Sequence, residues 1–143
     1  MNKTRVLFLC TGNSCRSQIA EAFLRKYAGD QFEVYSAGLE PKPIHPLTMR
    51  VMEEINIDMR GQYPKLLAQF IGKVHFGYLI TVCSNAEEKC PIFPGMGIRL
   101  HWPFEDPAAF EGSEKEKLAK FREIRDQIEK KVIAWSVEQK IEV

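Results

Sequence analysis

The chain reads as a three-layer α/β fold, a parallel sheet with helices on both faces. Two observations predict it. Short apolar runs alternate with segments of helical period, and the strongest runs are apolar at successive positions, as strands buried on both faces require. Length agrees: 143 residues with 45% hydrophobic content suffice for one core. No repeat, low-complexity tract or Ser/Gly linker marks a boundary, so residues 1–143 are expected to form a single domain.

The elements follow in order. RVLFLC, residues 5–10, is a continuous apolar run and the first strand. Residues 17–28 set Ile19, Ala20, Phe23, Leu24 and Tyr27 on one helical face, with Ser17 available as N-cap and Gly29 as terminator. FEVYSAG, residues 32–38, alternates like a strand. Pro46 opens a second helix whose inward face is Leu47, Val51 and Ile55. Pro64 opens a third, short helix with Leu66, Leu67, Phe70 and Ile71, closed by Gly72. FGYLITVC, residues 76–83, is a strong buried strand and IRLHW, residues 98–102, a weaker fourth. Ser113 with Glu116 makes a capping box for a long last helix that buries Leu118, Phe121, Ile124, Ile128 and Trp135.

Charge is balanced, 20 Lys plus Arg against 19 Asp plus Glu, a formal +1. Neither a nucleic acid nor a membrane surface is expected as partner, and any anion site must be local. The apolar run VLFLC is far too short for a signal-peptide core or a membrane span, so a cytoplasmic protein is expected. Four cysteines in such a chain are expected to be reduced thiols available for chemistry. Cys10 and Cys15 are separated by four residues and Cys83 and Cys90 by six, outside the usual zinc knuckle spacing. His45, His75 and His101 are scattered, so neither a metal nor another cofactor is expected.

In parallel sheets ligands bind beyond the carboxyl ends of the strands. Cys10 ends the first strand, Cys83 the third, and FEDP follows the fourth, so three chemical groups emerge on one sheet edge. The stretch CTGNSCRS, residues 10–17, wraps a loop over a helix N-terminus, where inward N–H groups and the helix dipole favour an anion. Gly12 can take positive φ and Asn13 tolerates it; Arg16 can grip a tetrahedral oxyanion through two hydrogen bonds. A thiolate in the same cradle would be stabilised by the same donors, making Cys10 the nucleophile with a depressed pKa.

The C-x5-R-S loop resembles that of the low-molecular-weight protein tyrosine phosphatase superfamily. SAGLEP, CSNAEEKCP and HWPFEDPAAFEG further resemble the thioredoxin-coupled arsenate reductases built on that fold. The resemblance covers nearly the whole chain. It implies a four-stranded parallel sheet of flavodoxin-like type, Cys10 as nucleophile, Arg16 as anion ligand and Asp106 as general acid. Thr11, Gly12, Asn13, Ser14, Cys15, Arg16 and Ser17 would bind the oxyanion. Asn13, Ser17 and Ser36 would brace the loop.

The loop does not separate phosphate from arsenate, both tetrahedral oxyanions, but electron counting does. Reducing arsenate takes two electrons, which two thiols becoming a disulfide supply, whereas a phosphatase needs no second thiol. On the pattern of those reductases, Cys10, Cys83 and Cys90 would form a relay of disulfides regenerated by thioredoxin. If residues 84–90 are helical, seven residues span about 10 Å, more than the roughly 7 Å between Cα atoms that a disulfide tolerates. The segment must then unwind on oxidation. Cys83 and Cys90 also read as packing thiols, Asp106 before Pro107 as a plain turn, and Cys15 as a packing residue or a disulfide partner of Cys10.

Two departures stand out. Tyrosine phosphatases of this fold usually carry an aromatic residue after Asp-Pro, where this chain has Ala108 and Ala109. Some of the reductases hold potassium just after the second helix, but here Tyr63 and Lys65 occupy the expected Thr and Asp positions, and Lys65 would repel a cation. The leading expectation is arsenate reduction by a monomer. The alternatives are a phosphatase acting on phosphotyrosine or small phosphate esters, and an oxyanion-binding or redox-sensing module without turnover.

Overall fold

The computed structural model describes residues 3–90 and 96–141. Four strands, β1 (Thr4–Cys10), β2 (Phe32–Gly38), β3 (Phe76–Thr81) and β4 (Met96–His101), form one all-parallel sheet in the order β2-β1-β3-β4. Successive side chains of a strand point to opposite faces. Val6, Leu7, Phe8 and Leu9 of β1 are all 0% exposed, so both faces are covered at the centre of the sheet. Among the described residues no helix is long and apolar enough to cross a membrane.

Helix α1 (Arg16–Ala28) follows β1 and packs with α4 (Glu114–Ile141). Trp135 of α4 lies on the sheet, its ring 5.2 Å from Phe32, 5.0 Å from Tyr78 and 5.8 Å from Trp102. The capping box forms: Glu116 N–H donates to Ser113 Oγ at 3.2 Å, and Ser113 N–H to Glu116 Oε1 at 3.1 Å. Leu118, Phe121, Ile124, Ile128 and Trp135 are buried as expected.

Helix α2 (Pro46–Glu53) is capped by His45, whose Nδ1 accepts from Leu47 N–H at 3.1 Å. Val51 is buried with Cys15, Leu118 and Phe121, and Leu47 packs against them, but Ile55 lies beyond the helix end. Helix α3 (Ser84–Lys89) spans the interval between Cys83 and Cys90.

Two local readings are corrected. Ser17 is not the N-cap of α1: Cys15 holds that position without a side-chain cap, and Ser17 turns inward from the first turn. The helix expected from Pro64 is one 3-10 turn, Leu67–Gln69. The backbone before it is already engaged, because Lys65 N–H donates to Asn13 Oδ1 at 2.8 Å and Lys65 C=O accepts from Gly38 N–H at 2.7 Å. Leu66 is therefore extended and bridges to Gly38. Gly72 takes a left-handed conformation, φ 76°, which glycine enters with no Cβ to clash.

Candidate active site

β1 delivers Cys10 to the carboxyl edge of the sheet, residues 11–15 wrap over it, and α1 starts at Arg16. The left-handed turn falls on Asn13, φ 51°, and not on Gly12. Gly38, at the end of β2, lets the loop close, since a Cβ there would meet Thr11 O at 2.8 Å and Asn13 N at 3.0 Å.

Hydrogen-bond polarity around the sulfur is set by a fully buried network. Asn13 Nδ2 donates to Ser17 Oγ at 2.8 Å and to Ser36 Oγ at 2.9 Å, while its Oδ1 accepts from Lys65 N–H. Ser17 Oγ stands 2.8 Å from Cys10 Sγ, placed to donate to it as a thiolate, and Asn13 N–H donates to the same sulfur at 3.1 Å. Ser36 donates in turn to Glu21. Glu21, 4% exposed, accepts from Arg25 at 2.6 Å and pairs with Lys65 Nζ at 3.4 Å. The ammonium of Lys65 also donates to Tyr63 O at 2.8 Å.

The expected depression of the Cys10 pKa is not met. Burial pushes the thiol above its ordinary value, more strongly than the Ser17 hydrogen bond and the Arg16 charge pull it down. Burial also pushes Cys15 up, to about 11. Cys15 packs into the cluster beneath α2 and α4, as its packing reading required.

Cys10, Thr11, Gly12, Ser14, Cys15, Arg16, Cys83 and Asp106 line one cleft of about 620 Å³. Asn13, Ser17 and Ser36 stand behind it as a brace, each 0% exposed. Arg16 Nη1 donates to Phe104 O at 3.0 Å and Nη2 lies 3.7 Å from Asp106 Oδ2. Among the described residues its buried Nε has no acceptor, a donor of the kind a bound oxyanion satisfies. Asp106 Oδ1 caps the turn Pro107–Ala109 by accepting from Ala108 N–H at 3.0 Å, as the plain-turn reading expects, and Oδ2 faces Arg16 across the cleft.

Cys83 caps α3, its sulfur accepting from Ala86 N–H at 3.4 Å. Asn85 Nδ2 donates to Thr11 Oγ1 at 2.7 Å, and Thr11 Oγ1 lies 3.5 Å from Cys83 Sγ, within reach of a hydrogen bond between them. Cys90 sits at the other end of α3, 7% exposed. All four cysteines are thiols.

Sequence reasoning missed Glu21, Asn85, Lys42, His45 and Phe104. Glu21 shares a helix face with Ser17, but its partner in the brace, Ser36, lies 15 residues away, so no local pattern marks it. Lys42 and His45 line the cleft from the segment after β2, just beyond the SAGLEP stretch.

The profile described as low molecular weight phosphotyrosine protein phosphatase matches residues 5–142. An arsenate reductase of Halalkalibacterium halodurans is 44% identical over 133 residues, 92% of this chain and 94% of that protein. A solved arsenate reductase in a phosphate-binding state superposes with a TM-score of 0.80 at 30% identity, covering 94% of this chain and 98% of the other. A thioredoxin-dependent arsenate reductase of Corynebacterium glutamicum superposes with a TM-score of 0.60 at 32% identity, covering 91% of this chain and 62% of that one. The chain belongs to the low molecular weight phosphotyrosine protein phosphatase family, on the branch of its arsenate reductases.

Proposed function

We propose that this enzyme reduces arsenate to arsenite with thioredoxin as the final electron donor. The observation that carries the reading is the second thiol, Cys83, lining the same oxyanion cleft as Cys10, where hydrolysis would need only one. The likeness to reductases, one of them thioredoxin-dependent, supports it. So does Ala108 on the cleft wall, which leaves no aromatic surface for a phosphotyrosine ring directly after Asp-Pro.

Arg16 and the loop amides hold the oxyanion while the Cys10 thiolate attacks arsenic and Asp106 protonates the departing hydroxide, which leaves as water. The Cys83 thiolate then attacks the Cys10 sulfur. The sulfur–arsenic bond breaks, its electron pair stays on arsenic, and arsenite leaves as a Cys10–Cys83 disulfide forms. Cys90 attacks Cys83, freeing the Cys10 thiolate, and the resulting Cys83–Cys90 disulfide is reduced by the two thiols of thioredoxin. Across α3 the two cysteines are about 10 Å apart along the axis, so the helix opens for this step.

The test is NADPH consumption with thioredoxin and thioredoxin reductase, started by arsenate. Cys83→Ser and Cys90→Ser are each expected to abolish multiple turnover while sparing hydrolysis of p-nitrophenyl phosphate. Parent-rate reduction by both variants would rule the relay out.

A further inference from the structure

Opening α3 requires something to let go. The helix has six residues and buries one of them, Ala86, so little apolar packing keeps it wound. Its terminal carbonyls lack helical partners, as at any helix end. Arg99, reaching across from β4, supplies them: Nη2 donates to Glu87 O at 2.6 Å and Nη1 to Cys90 O at 3.4 Å. The same guanidinium brings Nε to 3.3 Å from Glu87 Oε1. The other oxygen of Glu87 accepts from the Thr81 hydroxyl of β3 and lies 3.5 Å from His101 Nδ1. One side chain of α3 and one of β4 thus fasten the helix to the sheet and reach the backbone of Cys90.

We infer that Glu87 and Arg99 form a clasp that holds α3 wound in the reduced protein, and that release of this clasp gates disulfide formation between Cys83 and Cys90. The inference rests on the relay proposed above and adds positioning residues to it; neither side chain touches the oxyanion cleft. Arg99 hydrogen-bonds the two carbonyls and meets the Glu87 carboxylate only as an ion pair without a hydrogen bond from Nε, on side chains 23% and 34% exposed, so water can replace these contacts in a local opening that leaves the sheet intact. Arg99 also places a positive charge beside Cys90, whose thiol burial pushes up and this charge pulls down.

The experiment uses the full chain carrying Cys10→Ser and Cys15→Ser, so that only Cys83 and Cys90 remain. Diamide, an azodicarboxamide, takes two electrons and two protons from the thiol pair and becomes a hydrazine while one S–S bond replaces two S–H bonds. Disulfide formation is followed by loss of titratable thiol, and amide hydrogen exchange of residues 84–90 by mass spectrometry. Glu87→Ala and Arg99→Lys are each expected to lower protection of that segment about tenfold and to speed disulfide formation by a similar factor, with exchange in β1 and the thermal midpoint unchanged. Arg99→Lys keeps the charge beside Cys90, so its gain in rate reports release of the clasp and not easier ionisation. Parent-like protection, or lost protection without faster oxidation, overturns the clasp. Failure of the unsubstituted background to form the disulfide at all counts against the relay instead, and the protection arm still judges whether the clasp holds α3.

Discussion

At the scale of single residues, the site depends on which way hydroxyl hydrogens point. Asn13 commits both amide hydrogens to Ser17 and Ser36, and that choice is enforced from the far side by the Lys65 N–H on its carbonyl oxygen. The Ser17 hydroxyl faces Cys10 as a donor to its thiolate, working against the burial that pushes the thiol up. Removing a donor to the charged form raises a pKa further, so at any pH below the titration less thiolate is present. Ser17→Ala is therefore expected to move the iodoacetamide reactivity profile of Cys10 to higher pH and to cut its alkylation rate at pH 7 about tenfold. An unmoved profile would mean that backbone N–H groups, those of Asn13 and Ser17, and the Arg16 charge govern the sulfur without the hydroxyl. The nucleophile, the guanidinium and the Asp-Pro turn were legible because each belongs to a local pattern. The brace behind them was legible only in part: Ser36 and Asn13 came with the resemblance, whereas Glu21 is identified by a partner 15 residues away in sequence and by its burial.

At the scale of elements, strands and the long amphipathic helix were readable because their signals are local, a continuous apolar run or a capped 3.6-residue period. The segment after Pro64 was not, because its backbone donors and acceptors are taken by Asn13 and Gly38, and no pattern within the segment announces that. The join between α2 and α4 is of the same long-range kind. Glu54, just past α2, accepts from Arg122 at 2.6 Å and from Arg125 at 3.0 Å, and Arg125 also donates to Val51 O at 2.9 Å. The hydrogen bonds from Arg122, then the Arg122 and Arg125 charges, hold the Glu54 carboxyl down to about 2, below its ordinary 4.5. A folded-state pKa below the unfolded one contributes stability that is complete above pH 4.5 and lost as pH falls toward 2. Glu54→Gln is expected to lower stability at pH 7 by about 1 kcal/mol, the scale of a solvent-screened pair. In urea titrations the gap between parent and variant should close as pH drops through that window; a gap independent of pH would assign the loss to packing.

At the scale of the whole molecule, the oxyanion loop is where the sheet, α1 and the segment after β2 meet. Its backbone is stitched to that segment by Glu40 N–H on Thr11 O at 2.8 Å and Lys42 N–H on Gly12 O at 2.9 Å, and to α1 through Arg16. An anion bound there touches groups from both sides of the first crossover, so its binding energy counts toward global stability and not only toward order in one loop. A ligand that binds the folded chain alone stabilises it by about 2.7 kcal/mol at a hundredfold excess over its Kd. For a chain of this length that amounts to a rise in Tm of about 8 °C. Arsenate and phosphate, sharing shape and charge, should both produce it in differential scanning calorimetry, and chloride at equal ionic strength should not. Arg16→Met, which removes the buried Nε donor and both Nη groups, is expected to abolish the rise for both anions. Cys83→Ser should retain it, because binding precedes any step that needs the second thiol. A rise surviving in Arg16→Met would show that the guanidinium is not what holds the anion and would overturn the role argued for Arg16, since among the described residues no other guanidinium lines that cleft.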